Sequence, residues 1–362
     1  MSGPSSGAGR ILVVGPQPPP TTGRSVATAA VVAAWAAAGT EVALASVALG
    51  AGPAGQLRKL ARYGAALGRV ARSETGTGVV VVASDGPWLV ADTAVALVAR
   101  ARRRRLAVHH HSWRYLSRRT GLMAALVGGA GRATRHVVLC PAMGAALREQ
   151  YRGVADTVVV SNAGVVDPAP ARTAPAPAPD GRLVLGMLGN LTAAKGLRRS
   201  LDLLDDLRAE GRDVGLVLAG PVIGADEQAA VAAAERRHGD RLEALGPVDP
   251  DGRATFLARC DVLLFPSDYR NESQPLAVLE ALAAGVPVLA VERGCLAGDL
   301  AGLGWTVPEV DGFAALAGGA VGRLADGVER ARWSAAATER SERLAAEARD
   351  QLTALARWLT TP

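Results

Sequence analysis

The chain reads as an α/β protein built from two doubly wound, Rossmann-like domains, and three observations carry that reading. Short apolar runs alternate with helical segments through the first half; a proline- and alanine-rich stretch interrupts them; the same alternation then begins again. Buried strand and helix in alternation imply a parallel sheet with right-handed crossovers. A chain of 362 residues, 49% of them apolar, can bury two medium cores, the usual division at this size.

The strands of the first half are Arg10–Val14 (RILVV), Glu41–Ser46, Val79–Ala83, Leu106–His109, His136–Leu139 and Thr157–Ser161, with helices such as Val26–Ala38 and Asp92–Arg104 between them. Residues 168–180, PAPARTAPAPAPD, fit an extended linker, because each proline fixes φ and lacks an N–H donor. After it come strands Leu183–Leu188, Leu216–Ala219, Leu242–Leu245, Val262–Phe265 and Val288–Val291, with helices such as Arg198–Glu210 and Asp226–Arg237. An alanine-rich helix, Ser334–Leu359, closes the chain with Leu344, Leu352, Leu355 and Trp358 as its apolar positions. The expected division is residues 1–167, a linker at 168–180, a second domain at 181–333 and the last helix at 334–362.

No segment offers the roughly eighteen uninterrupted apolar residues that a membrane span needs. The start, MSGPSSGAGR, lacks the apolar centre of a signal peptide, so a cytoplasmic protein is expected. Cys140, Cys260 and Cys295, odd in number and widely spaced, suit reduced buried thiols better than bridges or a metal site. The net charge of +6 comes from arginine, densest at Arg100–Arg105 (RARRRR). No helix-turn-helix, zinc-finger or aromatic-stacking pattern surrounds that run, and no nucleic-acid partner is expected. Two readings of the run stay open: the solvated end of a helix, whose dipole favours cations, or contact with anionic lipid at the inner face of the membrane.

The most informative stretch is Asn271–Ala290, NESQPLAVLEALAAGVPVLA. Good helix formers run from Leu276 to Ala284, Gly285 can stop that helix in a left-handed conformation, and Pro287 stands where a buried strand begins. Glu272 precedes the helix and Glu280 lies in it, eight positions on, so both carboxylates can face one cleft while Leu276, Leu279 and Leu282 pack away. Backbone amides around Gln274, Pro275, Leu276 and Ala277 sit at the positive end of the helix dipole, an arrangement that binds phosphate. Carboxylates beside a phosphate seat suit a ligand with vicinal hydroxyls, ribose or hexose. The plainer alternative is a solvated loop glutamate and a helix-surface glutamate.

Upstream, Gly189–Gly196 reads GNLTAAKG, a glycine loop after a strand, from which Lys195 can reach a diphosphate as a point charge while glycines admit the backbone closely. His109, His110 and His111 end the strand of RRLAVHHHSW, at the carboxyl edge where open sheets bind ligands. A metal site is not expected there, since adjacent residues alternate faces and no carboxylate or cysteine cluster accompanies them. Gly7 and Gly9 precede the first strand, so they form no dinucleotide fingerprint, and an oxidoreductase reading is disfavoured.

The segment Asp261–Ala290 resembles the donor-site signature of GT-B retaining glycosyltransferases of family 4, the group 1 family: a glutamate, seven intervening residues and a second glutamate before a small-residue helix. The resemblance implies GT-B architecture, with two Rossmann-like domains facing each other across a cleft and a C-terminal helix crossing back to the N-terminal domain. It implies that Glu272 contacts the transferred sugar and Glu280 the nucleotide ribose, with Gln274, Pro275 and Leu276 standing where many relatives have an aromatic residue and a glycine. It also implies that Lys195 and Gly196, with Gly189, hold the diphosphate, although Asn190 replaces the usual arginine. His111, followed by Ser112, best matches the histidine that contacts the donor sugar. Gly23 matches the first of two glycines near acceptor and phosphate; Arg24 replaces the second, either supplying a missing cation or narrowing the cleft. The activity so implied is metal-independent, retaining transfer, of hexosyl type, from a nucleotide-diphosphate sugar to an acceptor hydroxyl, in glycolipid, polysaccharide or glycosylated-metabolite synthesis. No enzymic nucleophile and no cofactor are implied. Arg114, Arg118 and Arg119, with the Arg100–Arg105 run, add the expectation of an anionic or lipid-linked acceptor. The rival from another class is a nucleotide-sugar-binding protein without turnover.

Overall fold

Two parallel sheets of six strands organise the described residues, which in this computed structural model are 9–47, 52–166 and 181–361. The expected linker, 168–180, lies outside them. The first sheet comprises β1 (Arg10–Gly15), β2 (Glu41–Ser46), β3 (Gly78–Val82), β4 (Leu106–His109), β5 (Arg135–Val138) and β6 (Asp156–Val159), in the order β2-β1-β3-β4-β5-β6. The second comprises β7 (Leu183–Leu188), β8 (Val214–Ala219), β9 (Leu242–Ala244), β10 (Val262–Phe265), β11 (Val288–Val291) and β12 (Thr306–Val307), in the order β12-β11-β10-β7-β8-β9. All neighbours in both sheets pair in parallel, as apolar runs covered by helices on both faces require. The winding reverses between β1 and β3, and again between β10 and β7. At such a reversal the connections leave the strand ends toward opposite faces, and a crevice opens between them.

The chain divides into two units: one runs to Val165 and takes in the segment from Ala345 onward, and the other is Val166–Leu344. In the first, Ile11, Val13, Val80, Val82, Ala107 and Val137 share a core with Leu352, Leu355, Ala356 and Leu359 of the last helix. The Trp35 indole donates to the Leu352 carbonyl at 3.0 Å, and the Ser161 amide donates to Gln351 Oε1 at 3.2 Å. That helix spans Gly327–Thr360, beginning before the expected Ser334. Its earlier part belongs to the second unit, where Trp333 packs on Trp305 with ring centroids 5.3 Å apart. In the same unit Asp261, almost fully buried, accepts from the Val184 amide at 2.8 Å and so ties the start of β7 to that of β10.

Three further elements differ most from expectation. The helix expected at Asp92–Arg104 is Leu89–Ala101, fed by a single 3-10 turn through Pro87 and Trp88 and ended before Arg103, whose φ is 54°. The arginine run is therefore not a helical stripe: Arg104 donates to Ser73 Oγ at 3.1 Å and Arg105 to the Trp358 carbonyl at 2.7 Å. Arg102 and Arg103 remain exposed. A helix at Gly52–Arg72 had no apolar stripe to announce it, because its buried face is Gly55, Lys59, Tyr63, Ala66 and Val70. Edge strand β12 is too short, at two residues, to show a period.

The last helix thus completes the core of the first unit. Leu355→Ala should destabilise that unit by about 2–5 kcal/mol, since it empties a buried aliphatic site, whereas Thr353→Ala on the exposed side should change little. Thermal unfolding followed by hydrogen exchange at β1 and β3 amides checks this; equal protection in both variants would show that the helix is dispensable.

Candidate functional site

The reversal point of the second sheet gathers the loops that follow β7 and β10. The Asp268 amide donates to the Ala194 carbonyl at 2.9 Å, joining one loop to the other. Gly196 has φ 91°, and a Cβ there would lie 2.4 Å from the Pro266 carbonyl oxygen, so only glycine allows this approach. Across the joint the Lys195 ammonium donates to Glu272 Oε2 and lies over the rings of Tyr269 and Phe265, 5.2 and 5.9 Å from their centroids. Both partners are largely covered, with side-chain exposures of 29% and 11%. Two residues far apart in sequence, each expected at a donor site, are in direct contact.

The Leu276–Ala283 helix begins at Pro275, which supplies no side-chain cap, so the dipole's positive end carries no internal anion. Val278, Leu279, Ala281 and Leu282 bury its inner face, and Gly285 (φ 67°) ends it as expected. Gln274 is buried and donates to both carboxylate oxygens of Asp299 at 3.0 Å. Burial pushes the Asp299 carboxyl up to about 6, against the lowering pull of Gln274 and Arg340. Gln274 is thus clamped from behind the loop. Glu280, a turn into the helix, accepts from Arg253 Nη1 at 2.8 Å; burial raises its carboxyl and Arg253 lowers it. Arg253 and Asp299 carry no local sequence signal, because each acts on a residue more than two dozen positions away.

Asn190 is exposed; Arg199 and Arg293 pair with Asp268, at 3.8 and 3.1 Å. Gly189 opens this loop with φ 134°.

His111 and Gly23 belong to the first unit. Gly23 starts the Gly23–Ala37 helix, behind a capping box of Thr22 and Ser25, with open space where a side chain would stand. His110 is fully buried in a chain from Tyr115 OH, at 3.2 Å, to His136 Nδ1, at 3.0 Å. His111 and His109 share the other side, with ring centroids 4.0 Å apart, as strand alternation requires. Burial holds the His109 imidazole down at about 4, and burial with the charges of His109 and Arg24 holds His111 well below its ordinary value. Neutral imidazoles are the result at neutral pH. Among the described residues no group of three His, Cys, Asp or Glu side chains is arranged to hold a metal ion, and no helix is long and apolar enough to cross a membrane.

Residues 171–338 match the family described as glycosyl transferases group 1. No curated protein matches the chain. Among solved structures, sucrose-phosphate synthase from Thermosynechococcus elongatus is similar at 18% identity and a TM-score of 0.70, over 97% of this chain and 99% of that one. HepE of Anabaena in complex with UDP is similar at 15% identity and a TM-score of 0.67, over 95% of this chain and 100% of that one. A glycosyltransferase from Rickettsia africae gives 13% identity and 0.69, over 97% and 98%. At these identities the likeness is one of fold, and the fold is the two-domain α/β GT-B architecture.

The Asp299 clamp has a pH signature. Its folded value lies above the ordinary 3.8, so its contribution to stability is full below 3.8 and is lost as pH rises through about 6. Asp299→Asn should remove that slope, and its stability relative to the parent should rise by about 1–3 kcal/mol between pH 4 and pH 7. Urea unfolding across that range checks it; parallel curves for the two proteins would refute the assignment.

Proposed function

We propose that the protein transfers a sugar from a nucleotide-diphosphate sugar to an acceptor hydroxyl, with retention of configuration and without a metal ion. The observation that carries this reading is the contact of Lys195 with Glu272 at the reversal point of the second sheet, within the segment that matches glycosyl transferases group 1. Support for a nucleotide-sugar donor comes from HepE of Anabaena, which has been solved with UDP-glucose.

In this reading the diphosphate takes the Lys195 ammonium and the uncapped amides of the Leu276 helix as its partners. Both stabilise the charge that develops on the leaving phosphate, the place where electrostatic stabilisation contributes most. Release of Lys195 frees Glu272 to accept hydrogen bonds from the sugar hydroxyls. Glu280, oriented by Arg253, accepts from the ribose. A neutral His111 serves the transferred sugar by accepting a hydrogen bond, a role an imidazolium cannot fill beside a sugar that becomes cationic. Attack from the donor's own leaving-group side, assisted by that phosphate, gives retention with no enzymic nucleophile. The acceptor belongs to the N-terminal unit, is anionic or lipid-linked, and is met at the cytoplasmic face of the membrane.

Lys195→Ala and Glu280→Ala should each weaken UDP binding by about 1.5–3 kcal/mol, the loss expected for a hydrogen bond to a charged group. His111→Ala should lower turnover more than donor affinity, because its contact strengthens as the sugar becomes cationic. Calorimetry with UDP and a product assay separate the two effects. Unchanged UDP affinity in both of the first two variants, with folding intact, would remove the donor-site assignment.

A further inference from the structure

Of the 40 basic residues in the chain only two are lysine, Lys59 and Lys195. Arginine is charged at every attainable pH and binds as a fork, whereas lysine offers a compact point charge. A chain that relies so heavily on arginine therefore places its two ammonium groups selectively. Lys195 stands at the reversal point of the second sheet. Lys59 stands at that of the first.

Lys59 lies one turn before Tyr63 on the Gly52–Arg72 helix and is 3% exposed. Its ammonium is 4.4 Å from the centroid of the Trp88 ring and 5.9 Å from that of Tyr63, two rings that stack 5.5 Å apart. The carboxylate whose field reaches it, Asp92, is already engaged: Asp92 accepts from the Ser84 amide and from Tyr63 OH, both at 2.7 Å. Among the described residues no oxygen accepts a hydrogen bond from the Lys59 ammonium. A second cation stands close by: Arg24, which donates to the Ala83 carbonyl at 3.0 Å and lies 3.7 Å from the Asp85 carboxylate, joins burial in bringing the Lys59 ammonium down to about 8. Arg24 follows β1, Ala83 and Ser84 follow β3, and these are the two strands between which the winding reverses.

A ring face offsets only part of the cost of burying an ammonium that donates to no oxygen. If packing were the sole task, methionine or leucine would fill this place without that cost. Two cations at the crevice of a doubly wound sheet, one lacking any acceptor oxygen, are complementary to an oxyanion. We propose that Lys59 and Arg24 form a binding site for a carboxylate or phosphate group at the reversal point of the N-terminal sheet. That the group is carried by the sugar acceptor rests on the transfer reading above; the oxyanion site itself does not.

Two lysines make a direct test available. Protein grown with carbon-13 lysine gives two ε-methylene signals, assigned through Lys59→Met, and the unmodified protein is titrated with inorganic phosphate, glucose 6-phosphate, glucuronate and glucose. The Lys59 signal should shift saturably with one or more of the oxyanions and not with glucose. Arg24→Gln should weaken that response at least about tenfold, as loss of a charged partner does. A response to the sugar-borne anions where inorganic phosphate gives none identifies an acceptor group, and an equal response to both identifies a free-phosphate site. A Lys59 signal unmoved by all three oxyanions overturns the proposal. Lys195 reports separately: its shift with UDP, beside a silent Lys59, sinks this site and leaves the transfer reading standing, and the converse sinks the donor seat alone.

Discussion

A parallel strand cannot be followed directly by its neighbour, because the chain must first travel back along the sheet through a crossover. That constraint sends every long loop of one kind to the carboxyl ends of the strands, and in each sheet the winding reverses once. Most of what is chemically distinctive in this protein follows from those two facts. Lys195 and Glu272 meet because β7 and β10 are adjacent strands whose loops leave toward opposite faces. Arg24, Ser84 and Lys59 come together around β1 and β3 for the same reason. Neither group needed a dedicated scaffold, since the sheet supplies the crevice and the loops supply the side chains.

What the sequence made legible was whatever has a local cause. Strands such as Glu41–Ser46, Leu183–Leu188, Val262–Phe265 and Val288–Val291 appear at their expected bounds, because continuous apolar runs have one stable fate in a sheet covered on both faces. The Leu276 helix and its Gly285 stop are equally local. The Gly52–Arg72 helix escaped because its inner face is glycine, lysine, tyrosine and alanine, a pattern whose burial depends on the partners it finds. Of the candidate site, the glycine loop and the glutamate pair could be read from spacing. Their supports could not. Arg253 behind Glu280 and Asp299 behind Gln274 are joined to their targets only through the folded sheet, and a buried carboxyl near 6 has no signature in a string of letters. Asn190 shows the reverse: the sequence marks it as a departure, and the structure leaves it exposed, with Arg199 and Arg293 paired with Asp268.

The contact between Lys195 and Glu272 also bears on how two charges are kept largely out of water. Two opposite charges largely out of water, the ammonium over two aromatic rings, would each be costly alone, and together they satisfy one another. Glu280 with Arg253 repeats the principle eight positions further along.

The shared last helix has a consequence for biosynthesis. Leu352, Leu355, Ala356 and Leu359 close the core that β1 opens, yet a ribosome makes them more than three hundred residues later. While the second unit can gather all its strands during elongation, the first must wait with part of its apolar floor uncovered until Leu352 to Leu359 have emerged. The order of synthesis is therefore the reverse of the order of completion: the amino-terminal unit is begun first and finished last, and its exposed interval is the one in which chaperones have most to shield.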